Sequence, residues 1–130
     1  MSAFFDTNVL IYAVSDDPRR ASADRILRDG GTISVQVLNE FTNVCRKKLR
    51  LDWPRVEEAL ARFYEIFEAI VPLDLATHSA AVALARDHGL AFYDALIVAA
   101  ALEAGCQTLY SEDMQHHRKF GDLVIVNPFL

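Results

Sequence analysis

The chain has 130 residues, 52% of them apolar, and a formal net charge of −5. That length suits a single domain (1–130) with a real core, and the apolar share excludes a disordered chain. The acidic balance argues against a passive nucleic-acid coat, and the longest apolar run, Ala95 to Leu102, is too short to span a bilayer.

The N-terminus carries no basic segment, and Asp6 interrupts its only early apolar run, which argues against a signal peptide of the usual form. Ala3 to Phe5 reads as a buried strand that delivers Asp6 at its C-terminal end, the edge where ligands collect in an open parallel sheet. Asn8 can cap a short helix reaching about Val14, and Asp6 at the strand end is a second candidate for that cap. The Ser15-Asp16-Asp17-Pro18 turn then opens a second helix with Pro18 near its first position, and Gly30-Gly31 stops it. Thr32-Ile33-Ser34 is a short second strand.

Val37, Leu38, Phe41, Val44, Cys45 and Leu49 form one apolar stripe, predicting a third helix from about Val35 to Leu49 with Glu40 at the stripe's edge. It ends in Arg46, Lys47, Lys48 and Arg50. These are a dipole-matched, solvated helix end or, compatibly, a landing strip for RNA phosphates near Glu40. Asp52-Trp53-Pro54 starts a fourth helix running through Glu68. Its Trp53, Leu60, Phe63, Tyr64 and Phe67 read mostly as core, with an aromatic share that could stay exposed for a partner.

Ala69 to Leu73 is a third strand with Pro72 near its end, and a helix from about Ala76 to His88 closes at Gly89. His78 and His88 read as surface residues of that helix. Phe92-Tyr93-Asp94 opens a helix that is apolar on every face, hence central, with Asp94 in its first turn; Gly105 ends it. Phe92 and Tyr93 read as packing residues beside the site. Gln107 to Tyr110 and Leu123 to Val126 are the last two strands. Cys45 and Cys106 have no CxxC spacing, which points to buried thiols in a reduced, cytoplasmic protein. His116-His117 have no further Cys/His pattern to make a zinc site.

Strands alternating with helices imply a parallel sheet with helices on both faces. Asp6, Glu40, Asp94 and Asp113 then all fall at strand ends or following helix starts, on one edge of that sheet. Clustered carboxylates repel one another unless a cation neutralises them, and hard oxygen ligands suit Mg²⁺ or Mn²⁺. Such a site can activate water against a phosphodiester. Thr7, Asn8 and Ser111 are placed to hydrogen-bond and aim these ligands.

The stretches FFDTNVLIYAV, SVQVLNEFTNV, FYDALIVAAALEAGCQTLYSEDMQH and the closing VIVNPF resemble PIN-domain ribonucleases of the VapC toxin type, in family order over nearly the whole chain. The resemblance implies a PIN-like open parallel sheet of four to five strands. It also implies a metal-dependent endoribonuclease held inactive by a cognate VapB-like antitoxin, and dimerisation of the protein. Carried over by position, Asp6, Glu40, Asp94 and Asp113 become the acidic quartet, and Ser111 takes the usual Ser/Thr place before the last acid. Glu112 is an extra acid without an assigned role, and His117 stands where relatives usually carry Gly. On electrostatic grounds, an inhibitory partner should insert a cationic side chain among the acids.

Two other functions fit parts of the pattern. An aspartate-nucleophile phosphatase would use Asp6, but needs a second Asp where Asn8 stands. A receiver-like or antitoxin-binding module without catalysis would need a Lys near Val126-Asn127-Pro128, where none occurs.

Overall fold

The structure, a computed structural model, describes residues 2–130. In chain order the elements are β1 (Ala3–Phe5), α1 (Thr7–Ala13), α2 (Arg20–Leu27), β2 (Thr32–Ser34), α3 (Val35–Lys47), α4 (Trp53–Ile66), β3 (Ala69–Val71), α5 (Leu75–His88), α6 (Phe92–Glu103), β4 (Thr108–Tyr110), β5 (Lys119–Phe120) and β6 (Leu123–Val126). The sheet order is β3-β2-β1-β4-β6-β5, parallel except for β5. The chain therefore starts in the middle of the sheet, moves outward through β2 to β3, and returns to the far side of β1. Right-handed crossovers put α1 to α4 on one face and α5 and α6 on the other. Among the described residues no helix is long and apolar enough to cross a membrane.

Parallel strands buried on both faces are near-continuous apolar runs. Phe4, Phe5, Ile33, Leu109, Leu123 and Ile125 accordingly lie buried, packed against Val9, Leu10, Val37, Phe41 and Phe63. The α6 helix covers the opposite face with Ile97, Val98, Ala100 and Ala101. Its small Ala95 and Ala99 allow close approach of Ala81 on α5. Both cysteines are free and buried.

The expected elements are present with three local differences. Of the two candidate caps of α1, Asp6 takes the role and Asn8 does not, because the Asp6 carboxylate accepts from the Thr7 amide. α2 begins at Arg20, after a turn holding Pro18 and Arg19, instead of at Pro18. β3 stops at Val71, before Pro72, which has no amide to continue the ladder. The two-residue β5, antiparallel to β6, was not expected; a segment so short carries no alternation to read.

His117 has φ +69°, in the left-handed region, with its amide donating to the Ile125 carbonyl at 2.7 Å. Gly would adopt this conformation without a Cβ penalty. Its ring lies 3.6 Å from the His116 ring. His116 Nδ1 accepts the Asn127 amide at 2.9 Å, so this nitrogen is engaged in holding the chain end. A left-handed non-Gly residue costs about 1–2 kcal/mol, partly offset by the greater backbone entropy that Gly loses on folding. His117→Gly should therefore stabilise the fold by roughly 0.5–1 kcal/mol, read as a rise of a few degrees in Tm. An unchanged or lower Tm would show that the stacked histidine pair matters more than the backbone.

Candidate active site

The point where the chain reverses its path across the sheet lies between β1 and β4, the crevice where open α/β sheets bind ligands. Asp6 leaves β1 and Ser111 leaves β4 at this point. The Asp6 amide donates to the Tyr110 carbonyl at 2.9 Å, and the Ser111 amide to the Val126 carbonyl at 3.0 Å, so both residues are fixed by sheet continuation. The Asp6 side chain is buried. Its Oδ1 accepts the Thr7 amide at 2.7 Å and its Oδ2 accepts the Ser111 hydroxyl at 2.7 Å.

The other acids arrive from both faces of the sheet. Glu40 lies in the second turn of α3 and accepts from Thr7 Oγ1 at 3.0 Å. Asp94 lies in the first turn of α6, where the helix dipole favours its charge. Asp113 follows β4 and accepts from Asn8 Nδ2 at 2.7 Å. Asp6, Glu40, Asp94 and Asp113 line one open cleft of about 520 Å³, together with Thr7 and Asn8. Thr7, Asn8 and Ser111 each donate a side-chain hydrogen bond to one of these acids.

Burial pushes Asp6 up to about 7 against the pull of its two hydrogen bonds, with Glu40 and Asp94 adding repulsion. Glu40 is raised by burial and by the charges of Asp94 and Asp113, despite Thr7; Asp94 is raised by burial and by Asp113. The four acids thus feel one another's charge across the cleft. Among the described residues no three His, Cys, Asp or Glu side chains stand close enough together to hold a metal ion between them. An open set of hard oxygens fits a hydrated divalent cation, which keeps several waters and takes only one or two carboxylates directly.

Sequence reading missed part of this surface. Gln36, Asn39, Asn43 and Val44 on α3, and Tyr93 on α6, also line the cleft. The α3 residues stand within one helical turn of Glu40, so their spacing from it carried the signal. Tyr93 is exposed and lines the cleft, whereas it was expected only to pack beside it. Phe92 has its ring against Tyr93 and His78.

Glu112 points away from the cleft and has an anchoring role. It accepts from Arg19 Nη1 at 2.6 Å and from the Tyr12 hydroxyl. The Arg19 guanidinium also binds Asp17 and lies 4.1 Å from the centre of the Tyr12 ring. This network ties the loop carrying Ser111 and Asp113 to α1 and the turn before α2. Burial, then the Glu112 bond, pushes the Tyr12 phenol up to about 12.

Fold and site together define an α/β protein with a carboxylate cleft at its sheet's switch point. The sequence profile of the PIN domain family matches residues 3–121, and the chain belongs to that family. Among solved structures, a toxin–antitoxin complex from Klebsiella pneumoniae is 22% identical, with TM-score 0.76 and coverage of 98% of each chain. VapC20 of Mycobacterium tuberculosis, described as a sarcin–ricin loop cleaving toxin, is 21% identical, with TM-score 0.73, over 86% of this chain and 90% of that one. PAE2754 from Pyrobaculum aerophilum is 21% identical, with TM-score 0.67, over 97% and 90% respectively. At these identities the likeness establishes the shared fold. No curated protein sequence matches.

The raised acids set the direction of the pH response. A carboxyl whose folded pKa lies above its unfolded value binds its proton more tightly when folded, so stability falls as pH rises between the two. For Asp6 that window runs from 3.8 to about 7, and Glu40 and Asp94 act in the same direction. In EDTA, Tm should fall across this window. Asp6→Asn should flatten the fall, and millimolar Mg²⁺ should raise the wild-type Tm at pH 8 more than that of the variant. A wild-type Tm that climbs steadily from pH 4 to 7 would contradict the picture.

Proposed function

We propose that this protein is a metal-dependent endoribonuclease, the toxin of a toxin–antitoxin pair, working as a single PIN domain. The observation that carries this reading is the convergence of Asp6, Glu40, Asp94 and Asp113 on one open cleft in a PIN-family chain. Asp6 and Asp94 would be the firmest holders of Mg²⁺ or Mn²⁺, with Glu40 and Asp113 completing the acidic set. When bound, such an ion supplies Lewis acidity and a water of lowered pKa. The chain's own residues do the positioning. Ser111 and the Thr7 amide hold the two oxygens of Asp6, Thr7 Oγ1 orients Glu40, and Asn8 orients Asp113. Asn8 stands where an aspartate-nucleophile phosphatase needs its second Asp, which disfavours that reading.

The free, buried thiols fit the reducing cytoplasm. The exposed apolar side chains of Leu75 and Val82, both on α5, support a homodimer. Several similar structures are described as VapBC or toxin–antitoxin complexes. A VapB-like antitoxin is therefore the proposed partner here, and a cationic side chain among the acids would compete with the metal.

Antitoxin-free protein incubated with structured RNA and Mg²⁺ should cut it. Asp6→Asn and Asp94→Asn should abolish cutting while remaining folded. Ser111→Ala should lower activity or metal affinity about 10–100-fold, the usual effect of losing a group that orients a ligand. Undiminished cutting by either Asn variant would overturn the assignment.

A further inference from the structure

The acidic cleft does not end at the acids. Asn39 and Asn43 line it on one side and also line a second hollow of about 370 Å³ with Thr42, Arg46, Lys47 and Trp53. The two spaces therefore adjoin along α3 as a stepped trough, with Asn39 and Asn43 between them. Positions 39, 43, 46 and 47 follow helical spacing and present amides first, then cations, on one face. From Glu40 to Arg46 the helix rises about 9 Å, on the order of two to three nucleotides at roughly 3.4 Å each.

At the far end stands Trp53, the chain's single tryptophan, 51% exposed at the first position of α4. Leaving so large an apolar surface in water is unfavourable, and core packing does not account for it. The Arg46 guanidinium lies 4.4 Å from the indole ring centre and donates to the Leu51 carbonyl at 2.9 Å. It is thus held in place before any ligand arrives. A solvated helix end needs neither the indole nor this fixed arginine. Among the described residues Arg46, Lys47, Lys48 and Arg50 form no ion pair, in a chain whose net charge is −5. Free cations at one end and carboxylates at the other suit a polyanion bound along the trough with its scissile phosphodiester at the acids. The hollow exposes more apolar than polar surface, and a flat aromatic ring set beside cations without ion-pair partners suits bases that stack and phosphates that need counter-charge.

We propose that this trough is a subsite for unpaired nucleotides flanking the scissile bond. Arg46 and Lys47 contact their phosphates, and one base stacks on the Trp53–Arg46 pair. This rests on the ribonuclease reading and adds to it a cause for single-strand selectivity. Stacking requires a base released from its duplex.

Because Trp53 is the sole tryptophan, its fluorescence reports the contact directly. Metal-free protein in EDTA, unable to cut, is titrated with short oligoribonucleotides labelled for anisotropy. Single-stranded RNA should quench the emission saturably, and the same sequence annealed into a duplex should not. Trp53→Ala should weaken single-strand binding on the order of ten-fold or more, and Trp53→Phe should restore most of it. Arg46→Ala and Lys47→Ala should each reduce the salt slope of log K by about 0.7. Melting curves of the variants check that the fold is intact.

Emission unchanged when anisotropy shows saturation, equal RNA affinity in Trp53→Ala, or quenching by a protein partner but never by RNA would each overturn the proposal. If quenching occurs but no divalent cation elicits cutting, the ribonuclease reading fails and the trough remains an RNA groove. If RNA is cut while Trp53 stays silent, only the subsite fails.

Discussion

The site depends on a carboxylate buried between two strands that are far apart in sequence. Asp6 leaves β1 and Ser111 leaves β4, and the 2.7 Å bond between their side chains closes the seam where the chain reverses direction across the sheet. The Thr7 amide satisfies the second oxygen, so the same carboxylate also caps α1. One residue thereby links strand end, helix start and neighbouring strand. A buried acid without such partners would be strongly disfavoured. With them, it is retained at a raised pKa in the wall of the cleft.

From that seam the remaining acids are positioned by short polar links. Thr7 reaches across to α3 for Glu40, and Asn8 reaches to the loop after β4 for Asp113. The loop itself is anchored on the side away from the cleft by Glu112, Arg19 and Tyr12. Acids that repel one another therefore sit on elements braced independently of the cleft. The fold tolerates this mutual repulsion in exchange for affinity toward positive charge, a familiar opposition between stability and function.

The same helix that supplies Glu40 ends in unpaired cations beside an exposed tryptophan. Along α3 the surface passes from negative through neutral amides to positive. A polyanion lying on it meets attraction at one end and, at the other, acids that accept it only with a cation between them.

Much was legible in the chain by itself. The apolar strand ending in Asp6, the stripe on α3, the uniformly apolar α6 and Gly89 as a left-handed cap are local signals, set by side-chain period and backbone sterics. They led to the sheet class, to the edge on which the four acids stand, and to their three polar neighbours. The strand order, β5, the choice of Asp6 over Asn8 as cap, the anchoring by Glu112 and the exposure of Trp53 came only with the tertiary structure. Each depends on contacts between residues remote in sequence. Helical spacing placed Trp53 on the same face as Phe63, but periodicity describes a helix and not its neighbours. Only packing decided that Phe63 would be buried against Phe41 while Trp53, at the helix start, stayed in water beside Arg46.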